Sequence, residues 1–190
     1  QAQALRVPAG MAAILGLAAP HIEALCPECG VYAVNYNCPG QVTGAGEQAA
    51  LRAFCLKVAQ TGGKAVPLAV NGGFHSPLME EAAKGFETDL SDYMMKQPAY
   101  PVYANLTGLP YTPPFAPTLA RQAASPVLWQ KTTETLLAGG TDTFIEVGPG
   151  KTLCGFMKKI APEIRTVYNV QDRASLSETL TALRAGGTDA

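Results

Sequence analysis

The stretch "NGGFHSPLM" (71–79) carries His75, one of only two histidines in a chain of 190 residues. A neutral imidazole is the side chain best matched to proton transfer near neutral pH. A strand-like run leads into Gly72 and Gly73, and Pro77 marks a helix start just after. In open α/β sheets, sites gather beyond the carboxyl end of a strand, and glycine lets the backbone turn sharply there. His75 therefore reads as a general base; the plain alternative is a loop histidine hydrogen-bonded to backbone. A base needs a nucleophile to activate. A serine nucleophile on an α/β sheet normally sits in a G-x-S-x-G elbow, and no such pentapeptide occurs in the sequence. Ser76 adjoins the histidine, and sequence neighbours rarely hold nucleophile–base geometry. His21, at a helix start, reads as structural.

Two further motifs invite chemistry. "CPEC" (26–29) has metal-knuckle or redox spacing, but a structural zinc site needs four ligands and no second CxxC or HxxxH is present. The five cysteines (Cys26, Cys29, Cys38, Cys55, Cys154) are too few and odd in number for a disulfide framework. Free thiols in a reducing cytoplasm are the simpler reading. "VGPGKT" (147–152) resembles a phosphate loop, yet Ile145 stands where the Walker pattern requires glycine. It reads as a tight strand-to-helix turn, with anion binding at the helix start beside Lys151 as the alternative.

Composition frames these candidates. Hydrophobic residues make up 47% and charged residues 15%, enough for a packed core and unlike a disordered chain. A net charge of −1 and a pI near 6.1 exclude a broad nucleic-acid surface. No apolar run reaches the ~20 residues of a membrane span. The start has neither a secretory signal pattern nor an initiator Met, so the expectation is a chain that begins inside a longer protein.

The elements that must position His75 follow from periodicity. Strand patterns at 11–17, 31–37, 41–46 and 64–70 alternate with helical ones at 20–29 and around Leu51, Phe54, Cys55 and Val58. That order, βαββαβ over 11–71, is the ferredoxin-like or split βαβ arrangement. Beyond His75 a helix with the stripe Ala83, Phe86, Leu90 and Tyr93 is predicted, then a strand-like 99–108 and a Pro-rich loop at 109–117. Helices follow from about Thr118 and after Pro126. "DTFIEV" (142–147) looks like a buried strand, and "GPG" turns it into a helix with Leu153, Phe156, Met157 and Ile160 inward. A strand at 165–170 precedes a last helix starting at "SLSE", where Ser175 and Glu178 have capping-box spacing and Leu176, Leu180 and Leu183 form an apolar face. Strands alternating with helices imply a mostly parallel sheet.

Five stretches in order, "GMAAILGL" (10–17), "VNYNCPGQVTGAG" (34–46), "GFHSPLM" (73–79), "RQAASPVLW" (121–129) and "FIEVGPGKTL" (144–153), resemble the malonyl-CoA:acyl-carrier-protein transacylase family and the acyltransferase domains of fatty-acid and polyketide synthases. The resemblance spans nearly the whole chain. It implies an α/β fold in which a ferredoxin-like small subdomain (11–71) joins the C-terminal part of an α/β-hydrolase-like large subdomain (72–190), with 1–10 as the linking segment. It further implies an acyl-serine intermediate, with His75 as base in both half-reactions and the main-chain carbonyl of Gln122 orienting it. Asn35 and Asn37 would lie on the small-subdomain wall of the cleft, or else cap the turn at "CPGQ". Phe74 would favour malonyl over methylmalonyl by crowding an α-methyl group.

The implied substrates are malonyl-CoA and the phosphopantetheine thiol of an acyl carrier protein, with no tightly bound cofactor or metal, no nucleic acid and no membrane. The sequence departs from the family in one respect: the chain starts after the segment expected to hold the elbow serine and the carboxylate-binding arginine. Arg6 lies near that end, but its surroundings do not match, and the role is not transferred to it. The chain alone is then expected to be inactive and to need the missing N-terminal segment as a partner. The rivals are an acyltransferase domain cut from a larger synthase, a non-catalytic fragment that binds a carrier protein, and a cysteine enzyme pairing a thiolate with His75.

Overall fold

The computed structural model describes residues 7–186; Arg6 and most of the proposed linking segment lie outside them. Two compact units divide between Thr135 and Leu136. Within the first unit, main-chain bonds tie the later residues to the sheet. Tyr36 N–H donates to Val127 O at 2.9 Å and Val127 N–H to Val34 O at 2.7 Å.

The first unit opens with β1 (Ala9–Leu15), α1 (Ala19–Glu28), β2 (Val31–Cys38), β3 (Gln41–Glu47), α2 (Gln48–Gln60) and β4 (Lys64–Pro67). The strand order is β2-β3-β1-β4, with every adjacent pair antiparallel. Each βαβ crossover leaves a gap one strand wide, and a strand of the other crossover fills it running the opposite way. The predicted stripe of α2 faces inward: Leu51, Phe54 and Val58 are buried, and Cys55 packs at the margin. They meet Ile14, Ile22 and Val42 on the helix-covered face of the sheet. Gly44 is required there, since a Cβ would stand 2.9 Å from Phe54 Cε1 and 3.2 Å from Val31 Cγ1. The opposite face carries a smaller cluster of Met11, Val34 and Ala45. The ladder to β4 stops at Pro67, three residues short of the expected strand end; one further bond, from Leu68 N–H to Met11 O at 2.9 Å, follows before the chain turns away.

The unit continues through α3 (Glu80–Leu90), a hairpin of β5 (Tyr103–Ala104) and β6 (Leu109–Pro110), and α4 (Phe115–Arg121). The strand-like 99–108 therefore pairs over only two residues. Prolines at 98, 101 and 110 remove the donors a longer ladder needs. Of the predicted stripe on α3, Ala83 is buried, whereas Phe86 and, beyond the helix end, Tyr93 are exposed. Helix α5 (Trp129–Ala138) leads into the second unit.

That unit comprises β7 (Thr143–Val147), α6 (Thr152–Ile160), β8 (Thr166–Val170) and α7 (Arg173–Gly186). β7 and β8 pair in parallel from Thr143↔Thr166 to Val147↔Val170. They are the only parallel strand pair among the described residues, so the mostly parallel sheet is corrected to one pair. β7 is not buried either: Ile145 is 44% and Val147 80% exposed. On α6, Cys154 and Met157 face inward, with Leu153, Phe156 and Ile160 half-buried. Helix α7 starts one turn earlier than expected, so the capping box is Asp172 with Ser175. Asp172 Oδ1 accepts from Ser175 N–H at 2.8 Å, and Ser175 Oγ accepts from Asp172 N–H at 3.0 Å. Thr179 is the buried residue of α7, while Leu176, Leu180 and Leu183 point outward.

Candidate active site

His75 sits where β4 has given way to a turn, in a left-handed backbone conformation with φ of 62°. Such a conformation is uncommon for a residue with a side chain and persists only where its surroundings hold it. Gly73 gives those surroundings room, since a Cβ there would lie 2.7 Å from Leu78 Cδ1. Ser76, buried, donates its hydroxyl to Gly73 O at 2.5 Å and accepts from Leu78 N–H at 3.3 Å, capping the short 3-10 turn Pro77–Met79. That hydroxyl holds the turn and has no bond to the imidazole.

Two successive carbonyls of a second 3-10 turn, Gln122–Ala124, clamp the histidine. His75 N–H donates to Ala123 O at 3.0 Å, and the ring Nδ1 lies 2.9 Å from Gln122 O. A carbonyl oxygen can only accept, so Nδ1 carries the proton. In the neutral ring, Nε2 is then left with a free lone pair. The base reading and the loop-histidine reading of the sequence thus describe one arrangement: backbone bonding aims the ring.

The ring borders a cleft of about 590 Å³ whose walls include Glu23, Cys26, Tyr32, Tyr36, Pro77 and Pro126. Tyr36 OH donates to Glu23 Oε1 at 2.7 Å. Burial, then that carboxylate, pushes the phenol above its ordinary range. No pattern in the sequence announces this pair. Burial, then the neighbouring Cys29 and Glu23, pushes the Cys26 thiol up to about 12. A thiol held there stays protonated at neutral pH and is a poor nucleophile.

The other candidates are placed as follows. Phe74 packs, half-buried, against Met11, Val34 and Ala45 on the sheet face away from the helices. Asn35 forms a parallel bridge with Val127, and its buried Oδ1 finds no hydrogen-bond partner among the described residues. Asn37 Nδ2 reaches across to Thr43 Oγ1 at 3.5 Å. His21 is exposed on α1. "CPEC" closes α1, with Cys26 buried and Cys29 half-buried. No three metal-ligating side chains gather among the described residues, and no described helix is long and apolar enough to cross a membrane. The "VGPGKT" turn serves its own fold: Gly150 N–H donates to Gln171 Oε1 at 3.1 Å, and the first amides of α6 point at Glu146.

Known proteins resemble this chain over most of its length. A malonyl CoA-acyl carrier protein transacylase of Staphylococcus aureus strain MRSA252 is 34% identical over 176 residues, covering 87% of this chain and 57% of the relative. The crystal structure of the corresponding transacylase from Clostridium perfringens superposes with a TM-score of 0.90 at 34% identity, over 94% of this chain and 58% of that one. A malonyl-transacylase solved in complex with its type II PKS acyl-carrier protein gives a TM-score of 0.87 at 32% identity, over 92% of this chain and 59% of that one. The chain therefore spans a little under three-fifths of the length of these relatives. Residues 2–176 match the family model for the acyl transferase domain, and to that family the chain belongs.

Proposed function

We propose that this chain supplies the histidine half of a Ser–His pair in a malonyl-CoA:acyl-carrier-protein transacylase. The observation that carries the reading is the His75 Nδ1–H bond to Gln122 O, which leaves Nε2 free beside a cleft. His75 takes the serine proton as the serine oxygen attacks the malonyl thioester, then gives it to the departing CoA thiolate. In the second half-reaction it removes the proton of the carrier's phosphopantetheine thiol. As the thiol displaces the acyl group, the proton passes to the serine oxygen. Gln122 acts through its main-chain oxygen; Asn35, Asn37 and Phe74 line the substrate side, Phe74 disfavouring an α-methyl group. The CoA thioester is substrate, and no resident cofactor is invoked.

The serine and the carboxylate-binding arginine belong, in this reading, to an N-terminal segment outside the 190 residues, so that the chain alone is inactive. Three observations support that division. No G-x-S-x-G occurs in the sequence, the relatives are longer by about two-fifths of their length, and apolar residues of β7 and α7 stand uncovered. The antiparallel βαββαβ sheet would be the ferredoxin-like small subdomain, and the rest the C-terminal part of an α/β-hydrolase-like large one. The site of action would be the cytoplasm. The cysteine-nucleophile alternative is disfavoured by the Cys26 thiol, which borders the same cleft but is held protonated.

In the intact protein, His75→Ala should slow malonyl transfer to carrier protein by about 100- to 10,000-fold, the usual range for a general base, with circular dichroism unchanged. A near-normal rate would sink the proposal.

A further inference from the structure

The carbonyl that aims His75 is itself held, by the side chain of the same residue. Gln122 Oε1 accepts the main-chain N–H of Asn105 at 2.7 Å. Asn105 follows β5, so the amide of Gln122 is tied to the hairpin where its first strand ends. The hairpin ends are fixed in turn. Tyr111 N–H donates to Val102 O at 2.8 Å, and Leu128 N–H donates to Asn105 O at 2.8 Å. The Tyr111 ring meets Phe115 edge-on with centroids 6.5 Å apart.

A lone 3-10 turn is a weak support, because its hydrogen bonds are few and poorly aligned. A glutamine whose side-chain oxygen accepts a main-chain N–H of the hairpin cannot rotate without losing that bond.

We propose that the Gln122 side-chain amide is a positioning group: it locks the turn so that Gln122 O faces His75 Nδ1 and keeps the imidazole in the tautomer with Nε2 bare. The inference rests on His75 acting as the base. The amide does not touch the reacting atoms, and its effect passes through one carbonyl. An aliphatic residue at 122 would retain the carbonyl and lose the lock.

The test is long-range proton–nitrogen NMR of the neutral His75 ring in the intact protein, alongside transfer kinetics. The wild type should show a single Nδ1–H tautomer. Gln122→Leu should show a mixture of tautomers and a kcat reduced about 10- to 100-fold, with KM changed less than about twofold. Gln122→Glu keeps a side-chain oxygen able to accept the Asn105 N–H; it should fall between the wild type and Gln122→Leu and guards against a folding failure at position 122. Lower thermal stability in both variants with the tautomer unchanged would overturn the inference, because a merely structural role predicts that result. The two readings fail separately: undiminished transfer by His75→Ala removes the base, whereas an unmoved tautomer removes the lock.

Discussion

The carboxylate of Glu146 accepts the main-chain N–H of Cys154 at 2.8 Å through Oε2 and that of Leu153 at 3.1 Å through Oε1. A strand residue thereby caps the helix that follows it, and the anion that the "GPGKT" turn could attract is one the chain already carries. Burial acts to raise this carboxyl, but the N–H groups of Cys154, Leu153 and Thr152 outweigh it and hold it below the ordinary 4.5.

A lowered folded-state value fixes the sign of the pH dependence. The stability contributed by Glu146 is complete above its ordinary value of 4.5 and is lost as pH falls through the depressed one. Denaturant unfolding should therefore show wild-type protein losing stability as acid is added below that value. Glu146→Ala should be less stable by about 1–2 kcal/mol at neutral pH, with a flatter acid limb. Parallel acid limbs for the two proteins would refute the cap.

Gly44 offers a test of the small sheet. A methyl group there would stand 2.9 Å from the ring of Phe54, which is wholly buried and has no free side to move to. Gly44→Ala should cost about 1–3 kcal/mol by overpacking. The double change Gly44→Ala with Phe54→Leu should recover part of that loss relative to the sum of the single changes. Strict additivity would show that the ring is not the obstacle.

Cys26 supplies a chemical test of the nucleophile question. With its thiol pushed up to about 12 by burial and its neighbours, native protein at pH 8 should resist iodoacetamide at this position. Unfolding in denaturant should release labelling there. Rapid native labelling mapped to Cys26 would revive the thiolate alternative.

Much of the element order was legible because the relevant patterns are local. The α2 stripe Leu51, Phe54 and Val58 reports burial directly, whereas the alternation read for β2 does not: Val31, Val34 and Cys38 are its buried residues, because the register shifts between Ala33 and Asn35 and between Tyr36 and Cys38. The failures have local causes too. β4 leaves the ladder three residues early, prolines crowd the run around β5, and an earlier helix start moves the capping box from Ser175 and Glu178 to Asp172 and Ser175. The leucines of α7 did form a stripe, but periodicity does not say which neighbour a stripe faces, and it is Thr179 that is buried. The site divides the same way. His75 stood out by its glycines and type. Its contact with Gln122, 47 residues on, was reachable only through the family resemblance, and nothing in the sequence pointed to Asn105.

Gly72 N–H donates to Ala9 O at 3.1 Å, and Leu68 N–H donates to Met11 O at 2.9 Å. The path into the four-stranded sheet and the path out of it thus run side by side. A module entered and left at one point can be lengthened, trimmed or exchanged for another without redirecting the chain on either side. The floor beneath Phe74 can therefore be remodelled as a cassette that need only keep its main-chain bonds to Val127, while the clamp on His75, built from residues 122 and 123, stays in place. Change in the sheet and retention of the bonds that hold His75 then become separable events in the history of such a chain.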